Sequence, residues 1–99
     1  MGYGMVVKLR VQAGREAEFE MLFREAVAAV RDNEPTTRFY QCFKSQTEPS
    51  TYVTMELFES TEAQAAHQAS AHFQPFLQKI RATLAAPPDA QKLDLLPPL

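Results

Sequence analysis

The spacing of hydrophobic residues changes several times along this chain, and each change predicts a new element. Apolar and polar residues alternate over residues 5–12, which is the pattern of a half-buried strand. Over residues 19–30 the apolar side chains instead recur every three or four positions, which predicts an amphipathic helix of about four to five turns. We expect Asn33-Glu34-Pro35 to end that helix, because a residue before proline is pushed out of the helical region.

The centre of the chain predicts an antiparallel β-hairpin. Residues 38–45 are rich in strand formers, and the turn-forming residues 46–50 separate them from a second strand at residues 51–59. One face of that second strand is the more polar, and it is the face that could line a cavity. Its residues are Tyr52, Thr54, Glu56 and Phe58.

The last third of the chain predicts a helix that is broken in the middle. Thr61 and Gln64 have the spacing of a capping box and should open a short helix that ends near residues 67–69. Ser70 is a second possible cap. The helix that follows must start close to Pro75 or bend there, because proline lacks the backbone N–H that a helix interior needs.

A final strand at residues 92–96 completes the order strand, helix, strand, strand, split helix, strand. This α+β order predicts a single domain over residues 1–99, with a ferredoxin-like βαββαβ antiparallel sheet and its helices on one face. Apolar side chains also lie on the second face, which a chain of 99 residues cannot cover alone. We therefore predict a homodimer in which the two sheets pack together.

Composition and charge narrow the class of partner. The net charge of −2, with both signs interspersed, provides no basic stripe for nucleic acid or for an anionic membrane surface. No segment approaches the roughly 20 apolar residues of a membrane span, so we expect no membrane partner and a cytoplasmic location. Cys42 is the single cysteine and there are two histidines, so no metal site is predicted.

Candidate proton-transfer chemistry concentrates in residues 67–73, which contain both histidines, His67 and His72. Imidazole has an unperturbed pKa of about 6.5, so it can exchange protons near neutral pH. The two rings would lie about 140° apart on one continuous helix and converge only if the helix breaks at Ser70. A histidine on a helix is also commonly a surface residue, so both interpretations stay open.

With these elements in place, the chain resembles the antibiotic biosynthesis monooxygenase (ABM) domain family over nearly its whole length. The resemblance implies a dimeric α+β barrel, in agreement with the predicted fold. Thr36 departs from the glycine that often follows Glu-Pro in such domains. The features that carry the resemblance are Gly14 before a Phe-rich helix, Asn33-Glu34-Pro35 before the second strand, Glu56 within the third strand, and His67 followed by His72-Phe73.

The resemblance implies several possible activities. They include cofactor-independent, quinol-monooxygenase-like oxidation of a small quinol or anthrone-type aromatic with O2, isomerisation of an enolisable substrate, and haem degradation. The haem-degrading branch uses an asparagine, a tryptophan and a haem-ligating histidine at the positions of Val7, His67 and Leu77 here. None of the three is kept, so the resemblance favours the oxygenase and isomerase branches and no cofactor.

For those branches we predict His72 as the general base and His67 as its orienting or substrate-binding partner. Glu56 could hold the tautomer of a histidine, or pair with Arg38 or Lys44 across the hairpin. The alternative is a non-catalytic dimeric domain that binds a small molecule or serves an accessory role. Aromatic side chains are the candidates for lining a substrate pocket: Tyr52, Phe58, Phe39 and Phe73.

Overall fold

The computed structural model describes residues 2–97, and in that range three helices pack on one side of a four-stranded sheet. The elements are β1 (Tyr3–Arg10), α1 (Glu16–Asn33), β2 (Thr37–Lys44), β3 (Thr51–Phe58), α2 (Thr61–Ala69), α3 (Gln74–Ala82) and β4 (Asp89–Asp94). The strands lie in the order β2-β3-β1-β4, and each neighbouring pair is antiparallel. The predicted ferredoxin-like α+β arrangement is therefore confirmed. Within residues 2–97, no helix is both long and apolar enough to cross a membrane.

The buried core lies between the helices and one face of the sheet. The apolar stripe predicted for the first helix supplies much of it, as Phe19, Phe23, Ala26 and Val30 are all buried. The ring centroid of Phe19 lies 4.4 Å from that of Tyr52, across the boundary between helix and sheet. Full burial of one large apolar side chain contributes about 1.5 to 3 kcal/mol to the free energy of folding. Packing of this stripe therefore dominates the placement of α1.

The register of the hairpin decides which side chains face the helices. Tyr40 pairs with Glu56 across β2 and β3, and Cys42 pairs with Thr54. Tyr52 and Thr54 are buried, while Glu56 is half-buried. The predicted hairpin is confirmed, with an irregularity in β2 between Thr37 and Phe39, and the face of β3 that includes Tyr52 and Thr54 is turned towards the helices.

The N-terminal cap of α2 differs from the prediction. Ser60 is the last extended residue, and its hydroxyl accepts a hydrogen bond from the backbone N–H of Ala63 at 3.1 Å. Thr61 is already the first residue of the helix, and its hydroxyl donates to Glu62 instead. The predicted capping box of Thr61 and Gln64 is therefore wrong by one position, because the end of the extended backbone selects the capping residue.

The predicted break in the second helical region is confirmed at Ser70. The Ser70 backbone is extended, with φ −68° and ψ 146°, and its hydroxyl donates to the carbonyl of His67 at 2.8 Å. The same hydroxyl accepts from the N–H of Phe73 at 3.3 Å, which stabilises the turn into α3. Pro75 is the second residue of α3, where a missing backbone N–H removes no helical bond.

The observed bounds of the first and last strands differ from the predicted ones. β1 begins at Tyr3 and ends at Arg10, and β4 spans Asp89–Asp94 rather than residues 92–96. The alternation over residues 92–96 was misleading because every residue of β4 is exposed. Backbone pairing with β1 sets its bounds instead, from Lys8 opposite Asp89 to Tyr3 opposite Asp94.

The face of the sheet opposite the helices is rich in exposed apolar side chains. β3 contributes Met55 to it, which pairs with Val6 of β1, and β4 contributes Leu93 opposite Gly4. Phe39, Phe43, Met55 and Leu93 each expose between 41% and 44% of their surface. The predicted second apolar face is therefore present.

We expect Ser60→Ala to lower the free energy of unfolding by about 1 kcal/mol, since the N–H of Ala63 would lose its capping acceptor. Thr61→Ala is the matched control and should change stability by less than half as much, because its hydroxyl caps nothing in the backbone. Urea unfolding followed by circular dichroism measures both. Equal effects of the two substitutions would contradict the assignment of Ser60 as the cap.

Candidate active site

A cavity of about 170 Å³ lies between the sheet and the α2 and α3 helices. Exposed residues at its mouth include Gln68 and Arg81. The interior is mainly apolar, with a low-dielectric wall that suits an apolar ring. Among its apolar lining residues are Val7, Leu9, Phe23, Phe73, Leu77 and Ile80.

Four polar side chains interrupt this apolar wall: Tyr40, Thr54, Glu56 and His67. Tyr40 and Glu56 are neighbours across the hairpin, and the Tyr40 ring lies 5.0 Å from the His67 ring between centroids. Burial raises the pKa of the Tyr40 hydroxyl well above its usual value, so this group stays protonated and is able to donate a hydrogen bond. The cavity thus combines an apolar wall with a small set of proton-handling groups.

His67 is the polar residue held most firmly in this wall. Its side chain is 2% exposed, and its Nδ1 lies 2.9 Å from Oε2 and 3.0 Å from Oε1 of Glu34. The ring is enclosed by Phe73 at 4.2 Å and Phe58 at 5.3 Å between centroids. Packing and a carboxylate therefore fix both the position and the rotation of this imidazole.

Burial lowers the pKa of His67 below its ordinary value, and it outweighs the opposing effect of the hydrogen bond to Glu34. The ring is therefore neutral near pH 7, and its one proton sits on Nδ1, where the carboxylate accepts it. Within residues 2–97, Nε2 of His67 has no hydrogen-bond partner, although every fully buried side-chain N or O atom in that range has one. The lone pair of Nε2 is therefore not used by any of these residues, and His67 lines the cavity.

Glu34 is the residue that organises both histidines, and the sequence prediction missed it. Its side chain is 8% exposed and accepts hydrogen bonds from Thr37 at 2.7 Å, from His67, and from Nε2 of His72 at 2.5 Å. Burial alone would raise the pKa of Glu34, but these three donors together lower it, so the group is a carboxylate. In the sequence, Glu34 is visible only as part of a helix-ending Asn-Glu-Pro, and no local pattern predicts its contacts.

His72 occupies a different place from the one that its predicted role requires. Its Nε2 faces Glu34 and also lies 3.2 Å from the hydroxyl of Ser70. Its side chain is 24% exposed, and it is not part of the cavity wall that contains His67. The two histidines do converge at the helix break, as predicted, but they converge on a carboxylate rather than on the cavity.

Glu56 lies on the cavity wall and forms no ion pair with any of residues 2–97. Burial raises its pKa to about 7, a repulsion from Glu34 adds to this, and a 2.8 Å hydrogen bond from Thr54 opposes it. Neither of its two predicted contacts forms, because Glu34 holds the histidines, Arg38 pairs with Glu59, and Lys44 pairs with Glu20. Glu56 is thus a carboxyl group that can gain or lose a proton near neutral pH.

The structure separates the four aromatic residues predicted to line a pocket. Phe73 lines the cavity, and Phe58 is fully buried against the His67 ring behind it. Tyr52 instead donates a 2.5 Å hydrogen bond to Glu20 and borders a separate cleft beside α1. Phe39 lies on the opposite face of the sheet and is 44% exposed, because the register of β2 turns Tyr40 inward in its place.

The fold is that of a small α+β domain, with a mainly apolar cavity whose wall includes His67 and Glu56. The model of the antibiotic biosynthesis monooxygenase family matches residues 2–79, and the chain belongs to that family. A Caulobacter crescentus protein provisionally named an antibiotic biosynthesis monooxygenase is 33% identical, with a TM-score of 0.94 over 97% of this chain and 91% of that one. No curated protein matches the sequence.

Two more distant solved structures share the fold. One, named an antibiotic biosynthesis monooxygenase, is 23% identical with a TM-score of 0.88 over 96% of this chain and 99% of that one. The other, from Mycobacterium tuberculosis, is 17% identical with a TM-score of 0.88 over 99% of this chain and 98% of that one. At these identities the likeness concerns the fold alone.

The residues of this cavity do not reproduce the haem site that the family resemblance implies for one of its branches. Val7, His67 and Leu77 occupy the three relevant positions and all line the cavity. Leu77, which stands where the iron ligand would be, has no atom that can coordinate iron. Among residues 2–97, no three His, Cys, Asp or Glu side chains are arranged to hold a metal ion.

We expect Glu56→Gln to stabilise the protein selectively at high pH. The pKa of Glu56 is about 7 in the folded state against 4.5 for an ordinary carboxyl, so between these values the folded state binds more protons than the unfolded state. Wild-type stability therefore falls as pH rises from 4.5 to 7. The variant should not lose stability in this way, because glutamine does not titrate. The gain over wild type should be about 2 to 3 kcal/mol larger at pH 8 than at pH 4.

Urea unfolding at the two pH values measures this difference. Glu25→Gln, an exposed position on α1, is the matched control and should keep the pH dependence of the wild type. A Glu56→Gln variant whose stability parallels the wild type at both pH values would contradict the raised pKa.

Proposed function

We propose that this protein is a cofactor-independent monooxygenase that oxidises a small hydroquinone with O2. The observation that carries the proposal is the placement of His67 in the cavity wall, with Nδ1 held by Glu34 and with no hydrogen-bond partner for Nε2 among residues 2–97. Membership of the family supports a monooxygenase at a general level. The cavity chemistry supports the choice of a substrate that is activated by loss of a proton.

His67 is the general base in this scheme, in place of the His72 predicted from the sequence. Its lowered pKa keeps Nε2 unprotonated at neutral pH, so it can take the proton of a phenolic hydroxyl. Glu34 then stabilises the imidazolium that forms and keeps the ring in the required tautomer, as a buried carboxylate does beside a catalytic histidine. The apolar wall holds the resulting phenolate away from water.

The oxidation that follows balances without an external reductant. The phenolate passes one electron to O2, and the semiquinone and superoxide recombine to form a C–O bond at the adjacent ring carbon. Loss of that carbon's proton and cleavage of the O–O bond leave a carbonyl on the ring. One oxygen atom enters the hydroxyquinone product and the other leaves as water. Glu56, with a pKa of about 7, is the proton donor to the departing oxygen.

The size of the cavity favours one aromatic ring over three. Its volume is about 170 Å³, and a protein cavity of roughly 150 Å³ accommodates benzene. A hydroquinone ring therefore fits inside the wall, whereas a fused three-ring anthrone would have to extend through the mouth. A quinol is therefore the proposed substrate, in preference to an anthrone.

We expect His67→Gln to lower O2 uptake with methylhydroquinone at least about 100-fold, since removal of a general base costs on that order. His72→Gln should retain activity within about tenfold, because glutamine can still donate a hydrogen bond to Glu34. An oxygen electrode at pH 7 measures both rates, with thermal unfolding as the check that each variant is folded. Wild-type uptake no faster than buffer autoxidation would overturn the proposal.

Isomerisation of an enolisable substrate is the second candidate. The presence of a proton acceptor and a proton donor on one cavity wall, His67 and Glu56, favours it as much as it favours oxidation. Incubation with an enolisable arylketone in D2O distinguishes the two activities. Exchange of the α-hydrogen that depends on His67, without O2 consumption, would support the isomerase in place of the oxygenase.

We further propose that the protein is a homodimer whose two open sheet faces pack together. The exposed apolar side chains on that face, among them Phe39 and Met55, are the support for this assembly. Met55→Asp should weaken self-association roughly 30-fold or more, because a charge would be desolvated in an apolar interface. Sedimentation velocity measures it, with Met21→Asp on exposed α1 as the control. A wild-type monomer at high concentration would contradict the proposal.

A further inference from the structure

Among the residues that the structure describes, Arg81 is the only lysine or arginine that lines the cavity containing His67 and Glu56. It lies near the end of α3, one turn after Leu77, which also lines the cavity. Within residues 2–97, Arg81 makes no ion pair and no side-chain hydrogen bond. By contrast, Arg15 and Arg38 pair with Glu18 and Glu59 at 2.9 Å. An exposed guanidinium group thus lines the cavity with no carboxylate partner in the described part of the chain.

The ionisable groups around the cavity differ in how deeply they are buried. The half-buried Glu56 and the buried His67 lie inside, and Glu34 adds a negative charge behind His67. An anionic group placed beside Glu56 would lose its hydration in an apolar wall and be repelled by the carboxylate of Glu34, which is unfavourable. The same group at the mouth would meet Arg81, where a guanidinium can bind a carboxylate with two hydrogen bonds.

We propose that Arg81 is a specificity residue that selects a single-ring hydroquinone with a carboxylate substituent. This inference rests on the proposed function, since it assumes that the ring enters the cavity with its phenolic hydroxyl towards His67. The carboxylate then points outward to the mouth. Arg81 orients the ring through this pair, and the exposed Gln68 adds an amide to the cavity lining.

The test compares 2,5-dihydroxyphenylacetate with its methyl ester, which has the same ring and no charge. Isothermal titration calorimetry under nitrogen measures both affinities for the wild type, for Arg81→Gln and for Lys79→Gln. Lys79 is exposed on the same helix and does not line the cavity, so its variant controls for the loss of one positive charge.

We expect the wild type and Lys79→Gln to bind the acid about tenfold more tightly than the ester, as one charge-assisted bidentate pair would allow. Arg81→Gln should abolish this preference and leave the affinity for the ester unchanged. Raising the salt concentration should weaken binding of the acid to the wild type and not binding of the ester.

A wild type that binds the acid no more tightly than the ester overturns the role of Arg81 and leaves the proposed oxygenase standing. Equal effects of Arg81→Gln and Lys79→Gln overturn it as well, because the preference would then arise from net charge. Failure of the wild type to bind either compound overturns both proposals. Binding of the ester without O2 uptake in air overturns the oxygenase alone.

Discussion

The carboxylate of Glu34 is the contact on which the arrangement of this site depends. Its backbone ends α1, with its N–H bonded to the carbonyl of Val30, and its side chain accepts hydrogen bonds from Thr37, His67 and His72. It therefore joins the end of one helix to the start of β2, to α2, and to the turn before α3. A buried charge with a single partner would be costly, whereas three donors make the same charge a stable point of attachment.

Burial has opposite effects on the two groups that face the cavity. It lowers the pKa of His67, so the imidazole is free to accept a proton, and it raises the pKa of Glu56 to about 7, so that carboxyl can retain one. Their hydrogen-bond partners differ: His67 is bonded to the carboxylate of Glu34, whereas Glu56 accepts a hydrogen bond from the neutral hydroxyl of Thr54. An acid and a base with shifted pKa values in one apolar cavity are the usual composition of a proton-transfer site.

The order of elements could be predicted because each is encoded locally. The stripe from Phe19 to Val30, the alternation in β3 and the break at Ser70 with Pro75 all follow from short-range patterns. Predictions that depended on pairing were less accurate. The bounds of β4 shifted because a wholly exposed edge strand has no burial pattern, and Phe39 faces away from the cavity because strand pairing turns Tyr40 inward.

The sequence by itself determined the family, the α+β order and the presence of two histidines at a helix break, since these depend on residue identity and spacing. The tertiary structure decided how those histidines divide their roles. Glu34 is 33 residues from His67 and 38 from His72, so only the packing of α1 against the helix break brings the three together. That packing leaves His67 in the cavity wall and His72 outside it, while Glu34 holds Nδ1 of the first ring and Nε2 of the second.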